Sequence, residues 1–266
     1  MKKQYKYTRP TLYSRHPSHQ ILRAKNKTLP LFPFKVIIRL GSTTEVEGNP
    51  LEINTVQGVK NSASKLLMKQ KFTEAGVKTA KWLTGGGIDR LEQELGYPIV
   101  VKSFYGSRGV GNTKIESREQ LEQWLQNHNP NNYIFEEFIK MTREYRLHVT
   151  NEGCFYTCRK LLKGDAPEGT WQRHDDVCSW ALEHNPAFKK PKNWDDIVAD
   201  CIKAKNALGL DICAFDVGVQ GSIDGVERDN PEWNIFESCS AASFGSITSQ
   251  KYIEVLPKLI IQKYNG

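Results

Sequence analysis

Two acidic residues lie within or directly after apolar segments in the last third of the chain. Asp216 falls in the apolar run 212–219, which predicts a buried strand, and Glu237 ends a second apolar run at 233–236. An unpaired charge in a strand core is very costly, so a cation must meet these carboxylates in the folded chain. A hard metal ion such as Mg²⁺, carrying nucleotide phosphates, would satisfy both. Salt bridges at the strand ends would satisfy them equally well.

The composition is that of a folded globular protein. With 39% apolar and 25% charged residues, the 266-residue chain is long enough for one large domain or two modest ones that share a cleft. No apolar run approaches the ~20 residues of a membrane span, and the basic start Met1-Lys2-Lys3 is not followed by the apolar core of a signal peptide. The six cysteines show neither a Cys-x-x-Cys pair nor a zinc-binding spacing, which is typical of reduced thiols. We therefore expect a cytoplasmic protein that does not bind a membrane.

The net charge of +7 is concentrated at the start of the chain. Residues 1–40 contain ten Lys and Arg and no Asp or Glu, whereas the remaining 226 residues carry 27 basic and 30 acidic groups. Basic residues interleaved with Tyr5, Tyr7 and Tyr13 could neutralise and stack on nucleic acid. They could equally form a solvated tail or one wall of a cleft for an anionic ligand. We favour an acidic small molecule or peptide over nucleic acid as the partner of this basic arm.

Helices and strands alternate along the chain, and several strands are close enough in sequence to form hairpins. Apolar periodicity, capping residues and glycines predict strands at 34–40, 97–102, 112–115, 132–138, 144–150 and 153–161, and helices at 63–76, 91–95, 118–127, 194–208 and 250–262. Residues 43–62 are polar and predict an irregular segment. This order is typical of α+β units rather than of one doubly wound sheet.

A glycine-rich loop, Gly106-Ser107-Arg108-Gly109-Val110-Gly111, separates two of the predicted strands. A dinucleotide-binding loop would open a helix, and a P-loop would end in Gly-Lys-Ser/Thr, so both are excluded. Strand, loop and strand instead predict a flap whose backbone amides close over phosphates. Lys102, on the entering strand, would reach the α- and β-phosphates. A flexible hairpin tip with a surface lysine is the structural alternative.

The order of the chemistry-bearing residues resembles that of the ATP-grasp ligases. It comprises Lys65, Val100-Val101-Lys102, the loop 106–111, Glu136-Glu137-Phe138-Ile139, Glu144-x-Arg146, Asp216 and Glu237. That family includes D-alanine–D-alanine ligase, glutathione synthetase and the glutamate ligases that modify a ribosomal protein. The resemblance covers roughly residues 60–262. The shortness of the segment before Lys65 is similar to the reduced, amidoligase-type ATP-grasp proteins encoded by some phages.

The resemblance implies an α+β ATP-grasp fold with two α+β subdomains that grip ATP. We expect a basic arm at 1–30, a reduced segment at 31–62, a small lid subdomain at 63–140 and a C-terminal subdomain at 141–266. It also implies ATP and Mg²⁺ as cofactors. Lys65 and Lys102 would bind phosphates under a loop of Gly106, Ser107, Arg108, Gly109, Val110 and Gly111. Adenine would be held by Glu136, Glu137, Phe138 and Ile139, and the ribose by Glu144. Asp216 and Glu237 would coordinate Mg²⁺, and the transferred phosphate would be bound by Arg146, Arg159 and Arg173.

Cys239 departs from the family pattern. The second metal carboxylate is usually followed, two residues on, by an asparagine that completes the metal shell, and Cys239 stands at that position. A thiol is a soft ligand, and Mg²⁺ prefers oxygen. Three interpretations remain open: water or Ser240 substitutes, the second metal is bound weakly, or catalysis is impaired. Coordination of a softer metal by Cys239 is a further alternative.

The function that the resemblance implies is the ATP-dependent joining of a carboxylate to an amine through an acyl phosphate. The substrate would be an amino acid or a peptide, and the loop 164–175 would rim the cleft and read the acceptor. Three rivals stay open: a non-catalytic nucleotide-binding module, a nucleic-acid-binding protein that uses the basic arm, and a kinase that uses the same cleft.

Overall fold

The computed structural model describes residues 7–14, 16–106, 109–173, 176–223 and 226–266. Within these ranges the chain forms twelve strands and seven α-helices. The strands are β1 (Thr11–Tyr13), β2 (Val36–Arg39), β3 (Leu51–Ile53), β4 (Trp82–Thr84), β5 (Ile99–Ser103), β6 (Thr113–Ile115), β7 (Tyr133–Glu137), β8 (Arg143–Thr150), β9 (Gly153–Leu162), β10 (Cys178–Leu182), β11 (Cys213–Ile223) and β12 (Val226–Cys239). The helices are α1 (Gln20–Lys25), α2 (Val56–Ala63), α3 (Lys65–Glu74), α4 (Ile88–Leu95), α5 (Arg118–Asn127), α6 (Trp194–Leu208) and α7 (Ser246–Asn265).

The described strands form three separate sheets. A parallel N-terminal sheet has the order β1-β2-β3, an antiparallel lid sheet has the order β4-β7-β5-β6, and an antiparallel central sheet has the order β10-β9-β8-β11-β12. Separate sheets with helices packed on them confirm the predicted α+β class. No helix among the described residues is long and apolar enough to cross a membrane.

One face of the central sheet packs on helices, and this leaves its other face for polar groups. Tyr145, Leu147 and Phe215 are fully buried against α3 and α6. Because side chains alternate along a strand, Arg146 and Asp216 must point to the opposite face. Apolar burial on one face of β8 and β11 therefore decides where the charged residues of these strands lie.

The lid sheet has a small core of its own. Leu91 of α4 and Leu121 of α5 pack with Val101 and Phe135 of the sheet, and all four are fully buried. Helix α5 begins where it was predicted, since Ser117 Oγ accepts a hydrogen bond from the Gln120 amide. The lid is thus a separately packed layer that carries the glycine-rich loop.

The prediction of an irregular segment at 43–62 was wrong for its second half, which contains β3 and α2. Helix α2 carries Gly58 in its interior, and glycine disfavours helix. A Cβ at Gly58 would lie 2.5 Å from the Gly209 carbonyl oxygen, so the glycine permits close packing of α2 on the chain after α6. Ser64 then interrupts the predicted helix 63–76 and caps α3 by accepting from the Leu67 amide.

Residues 7–14 and 16–30 pack on the rest of the chain rather than forming a loose tail. Strand β1 pairs with β2, and Leu22 and Leu29 are buried in a second core with Phe244 and Tyr252. The structure thereby excludes the solvated-tail interpretation for the described part of the basic arm. The domain boundaries given above stay predictions.

Candidate functional site

Three lysines meet two carboxylates where the lid sheet faces the central sheet. Lys102 Nζ on β5 donates to Glu136 Oε2 at 2.7 Å, and Lys69 Nζ lies 2.9 Å from Glu136 Oε1. Lys65 Nζ lies 3.4 Å from Glu237 Oε1. Three ammonium groups against two carboxylates leave one positive charge in excess. A phosphate oxygen could therefore pair with an ammonium group whose charge the carboxylates of the cluster do not fully neutralise.

The protonation states in this cluster follow from burial and pairing. Burial disfavours the charged form of Lys102, but Glu136 and Glu237 more than offset it and raise the pKa of Lys102 above its ordinary value. Burial likewise opposes ionisation of Glu136, yet Lys102 and Lys69 hold the pKa of Glu136 below its usual value. For Lys69 burial prevails and lowers its pKa. Lys102 and Glu136 therefore both stay charged at neutral pH.

The glycine-rich loop joins β5 to β6 as a hairpin, which confirms the predicted order of strand, loop and strand. Gly109 and Gly111 have φ of 69° and 80°, a backbone conformation that favours glycine. The Asn112 amide donates to the Gly109 carbonyl at 3.0 Å, and Val110 is 75% exposed at the tip. Of the predicted loop residues, Ser107 and Arg108 lie outside the described residues.

Lys65 ties the start of α3 to the base of this loop. Its Nζ donates to the Gly106 carbonyl at 3.0 Å, and its backbone amide donates to the Phe104 carbonyl at 2.9 Å. The same ammonium group faces Glu237 on β12. Lys65 thus contacts both the lid and the central sheet, and a ligand that binds it would be held between the two.

Asp216 lies at the centre of a second buried charge cluster on the central sheet. Arg146 forms a bidentate pair with it, Nε to Oδ1 at 2.7 Å and Nη2 to Oδ2 at 2.9 Å. Lys160 Nζ donates to Asp216 Oδ2 at 3.0 Å and also to Glu144. Burial opposes ionisation of Asp216, but Arg146 and Lys160 hold its pKa well below the ordinary value. For Glu144, burial prevails over Lys160 and raises the pKa.

Asp216 and Glu237 are directly opposite each other on β11 and β12, so their side chains share one face of the sheet. A register shift follows this pair, because β12 contributes the extra residue Phe236. The described residues contain no group of three His, Cys, Asp or Glu side chains that could hold a metal ion. Two carboxylates nevertheless fit Mg²⁺, which keeps several waters and is commonly held by one or two carboxylates and substrate phosphates.

Cys239 is a poor candidate for a third Mg²⁺ ligand, because its soft sulfur is not the oxygen that Mg²⁺ prefers. It pairs with Ala214 across the sheet, and burial raises the pKa of its thiol to about 12. The sulfur is therefore a neutral thiol at physiological pH, and the thiolate is the form that binds metals. The role of Cys239 at the metal site stays a prediction.

A cleft of about 290 Å³ opens beside the two clusters. It is lined by Phe138, Ile139, Lys140, Gly218, Gln220, Glu232 and Asn234. Glu137 is not among the lining side chains, since its carboxylate accepts from the Lys81 amide at 2.7 Å. The cleft therefore has the residues that follow β7 as one wall and β11 and β12 as the other.

Comparisons with known proteins agree with this architecture. A family model of the ATP-grasp domain matches residues 70–163. The chain is 40% identical over 68 residues to D-alanine–D-alanine ligase of Geobacillus thermodenitrificans, which covers 22% of this chain and 19% of that protein. It is 24% identical over 156 residues to D-alanine–D-alanine ligase B of Clostridium perfringens, which covers 56% of this chain and 50% of that protein. The chain thus spans at most half the length of these curated relatives.

Solved structures match over more of the chain. D-alanine–D-alanine ligase from Bacillus anthracis superposes with a TM-score of 0.65 at 14% identity, over 96% of this chain and 97% of that one. This chain has the ATP-grasp fold. The ADP-bound N5-carboxyaminoimidazole synthetase from Staphylococcus aureus matches with a TM-score of 0.58 at 15% identity, over 78% and 54% of the two chains. The ATP-grasp ligase PsnB with a minimal precursor matches with a TM-score of 0.56 at 14% identity, over 81% and 65%.

Within this ATP-grasp fold, the predicted arginines fall in different places. Arg146 contacts Asp216, and Arg173 lies close by, donating to the Lys160 carbonyl at 3.1 Å. Arg159 pairs with Tyr145 across β8 and β9 and therefore lies on the helix-facing side of the sheet, where it donates to the Ala187 carbonyl at 2.7 Å. The structure does not bring Arg159 to the Asp216 cluster.

Three residues of the candidate site were missed from the sequence. Lys69 and Lys160 each complete a charge cluster, and Trp180 covers the second one, with the Arg146 guanidinium 5.1 Å and Lys160 Nζ 5.7 Å from its ring centroid. The sequence did contain a signal for Lys160, because a lysine within the apolar strand predicted at 153–161 needs a charged partner. Trp180 lies on an edge strand that was not predicted, and no local pattern indicated it.

Gly218 allows the cleft of the candidate site to form. A Cβ at this position would lie 2.3 Å from Cζ of Phe236 and 3.1 Å from Sδ of Met141. We expect Gly218→Ala to displace Phe236 into the cleft and to cost about 1–3 kcal/mol of unfolding free energy. Gly164→Ala is the control, since nothing lies within 4 Å of its added Cβ, and should cost less than about 0.5 kcal/mol. Urea denaturation measures both; equal costs would contradict the packing described here.

Proposed function

We propose that the protein is an ATP-dependent ligase that joins a carboxylate to an amine, with an amino acid or a peptide as substrate. The observation that carries the proposal is the excess positive charge of Lys65, Lys69 and Lys102 beside the paired carboxylates Asp216 and Glu237, within an ATP-grasp fold. Both curated relatives are named as D-alanine–D-alanine ligases. The PsnB structure holds a minimal precursor.

ATP would bind between the lid sheet and the central sheet. Lys65 and Lys102 would neutralise its phosphates, the loop 106–111 would close over them, and adenine would enter the cleft beside residues 136–139. Glu144 would accept the ribose hydroxyls. Asp216 and Glu237 would hold Mg²⁺, with phosphate oxygens and water completing its shell. When bound, Mg²⁺ shields the charge that the phosphates carry.

The reaction would proceed in two displacements. A carboxylate oxygen of one substrate attacks the γ-phosphorus of ATP, so that the bond to the β-phosphate oxygen breaks and ADP leaves with an acyl phosphate formed. The amine of the second substrate then attacks the acyl carbon, phosphate leaves, and the amine loses its proton. No side-chain nucleophile is required. The protein positions the reactants and neutralises charge through Lys65, Lys102, Arg146 and Arg173.

Trapping of the acyl phosphate tests this proposal. The protein is incubated with ATP, Mg²⁺, a pool of amino acids and short peptides, and hydroxylamine, which converts an acyl phosphate into a stable hydroxamate. We expect ADP and a hydroxamate of one pool member to form together. ADP without any hydroxamate would contradict the acyl phosphate. ATP binding without ADP would favour a non-catalytic nucleotide-binding module instead.

Cys239 is the feature that favours this second candidate. Its neutral thiol stands where the family has an amide oxygen, so one metal contact is missing. We expect Cys239→Asn to increase the rate of ADP release, because an oxygen ligand is restored near Asp216 and Glu237. Cys213→Ser is the matched control, as that buried thiol lies outside the metal-facing positions. An unchanged or lower rate in Cys239→Asn, measured at saturating Mg²⁺, would show that Cys239 does not limit turnover.

A further inference from the structure

The start of the chain presents cations that no carboxylate neutralises. No Asp or Glu precedes Glu45. We refer to residues 7–35 as the basic segment. Its described cations are Arg9, Arg23, Lys25, Lys27 and Lys35. None of the ion pairs found among the described residues involves any of these five. The unbalanced charge found in the sequence is therefore also unbalanced in the folded protein.

The cations of the basic segment are held on a fixed scaffold. Arg9 donates to the Lys27 carbonyl, and Arg23 donates to the Ser14 carbonyl at 2.8 Å. Leu22 is 1% exposed, which anchors α1 in the core. Because the segment is already ordered, an anionic partner that binds it would lose less affinity to conformational ordering than with a flexible tail.

The basic segment adjoins the loop that leaves the candidate site. The Phe244 amide donates to Ser18 Oγ at 2.9 Å, and His19 Nε2 lies 2.8 Å from the Ala242 carbonyl oxygen. Lys25 Nζ donates to Gln250 Oε1 at 2.7 Å. Ala242 and Phe244 lie a few residues after β12, the strand that carries Glu237. These contacts place the basic segment against the residues that follow β12, the strand of Glu237.

We propose that the basic segment is a docking surface for a carboxylate-rich polypeptide, one of whose carboxylates is the group that the ligase activates. This inference rests on the proposed function. The chemistry favours a polypeptide over nucleic acid, because the proposed reaction consumes a carboxylate and nucleic acid has none.

The test is binding of a fluorescein-labelled oligoglutamate of about ten residues, which spans roughly 33 Å when extended, measured by fluorescence anisotropy with the full chain. The docking variant is Lys25→Gln, Lys27→Gln, Lys35→Gln. The matched control is Lys71→Gln, Lys190→Gln, Lys192→Gln, which removes the same charge from lysines paired with Glu74, Glu183 and Asp229. A labelled oligothymidylate of equal charge serves as the nucleic-acid probe.

We expect the Kd for oligoglutamate to rise about tenfold in the docking variant and less than about twofold in the control variant. The difference should shrink at about 0.15 M salt, where the Debye length is about 8 Å. Equal loss in both variants, no binding of oligoglutamate, or tighter binding of oligothymidylate would each overturn the proposal. Lys102→Met is measured alongside, and it should lose stabilisation by ATP but keep the peptide affinity, so that failures of docking and of the ATP site are seen separately.

Discussion

Lys102→Met is expected to abolish stabilisation by ATP and to lower ADP release by about 100-fold or more. Lys102 is a buried cation on β5, the strand that enters the glycine-rich loop, and its ammonium group stays protonated because Glu136 and Glu237 raise its pKa. Methionine keeps the length and apolar stem of the side chain but removes the charge. The remaining pair, Lys69 with Glu136, is then one ammonium group against one carboxylate, so the excess charge at this point is gone.

Two controls separate loss of binding from loss of the fold. Lys71→Met changes an exposed lysine on α3 and should leave ADP release unchanged. Lys102→Met should itself stay folded, because Lys69 and Glu136 remain as a one-to-one buried pair, and a urea denaturation midpoint close to that of the unchanged protein checks this. A Lys102→Met protein that is folded and still turns over ATP would contradict the phosphate-binding role of Lys102.

Asp216→Asn is expected to destabilise the protein by roughly 3–5 kcal/mol and to remove turnover. The substitution leaves Arg146 and Lys160 buried beside a neutral amide in place of a carboxylate. Each of these two cations thereby loses one ionised partner. The carboxylate contributes stability above its unfolded pKa, and this contribution is lost only as the pH falls through its depressed folded pKa. The free energy of unfolding from urea denaturation at neutral pH measures the cost.

A second variant shows whether the cost arises from the unpaired cation. Asp216→Asn combined with Arg146→Met removes the cation whose described ion pair is with Asp216 alone, whereas Lys160 keeps Glu144, and should recover part of the lost stability without recovering turnover. If the double variant is no more stable than Asp216→Asn, the cluster does not depend on charge pairing as described. If Asp216→Asn keeps full ADP release, Asp216 does not hold the metal.

The sequence predicted those parts of the fold whose signals are local. The glycines at 106–111 between two apolar segments predicted the hairpin that the structure shows, and the apolar run around Asp216 predicted a buried strand, which is β11. Ser117 predicted the start of α5. In each case a capping group, a turn residue or an apolar pattern acts within a few residues, so no knowledge of distant contacts is needed.

The parts that were missed depend on contacts between distant segments. Lys160 reaches Asp216 only because β8 lies between β9 and β11 in a particular register, and register is not fixed by the local sequence. Helix α2 forms although Gly58 disfavours it, because its close approach to Gly209 is a tertiary contact. Arg159 was grouped with Arg146 because both residues are arginines. Side chains alternate along a strand, and this alternation places Arg159 on the opposite face of the central sheet.

The measurement that tests the central claim most directly is mass spectrometry of the substrate pool after incubation with the protein, ATP and Mg²⁺. The account predicts a new species whose mass is that of two pool members less one water, formed with ADP in equal amounts and absent in the Lys102→Met protein. ADP formation accompanied only by a phosphorylated pool member, with no joined product, would contradict a ligase and identify a kinase.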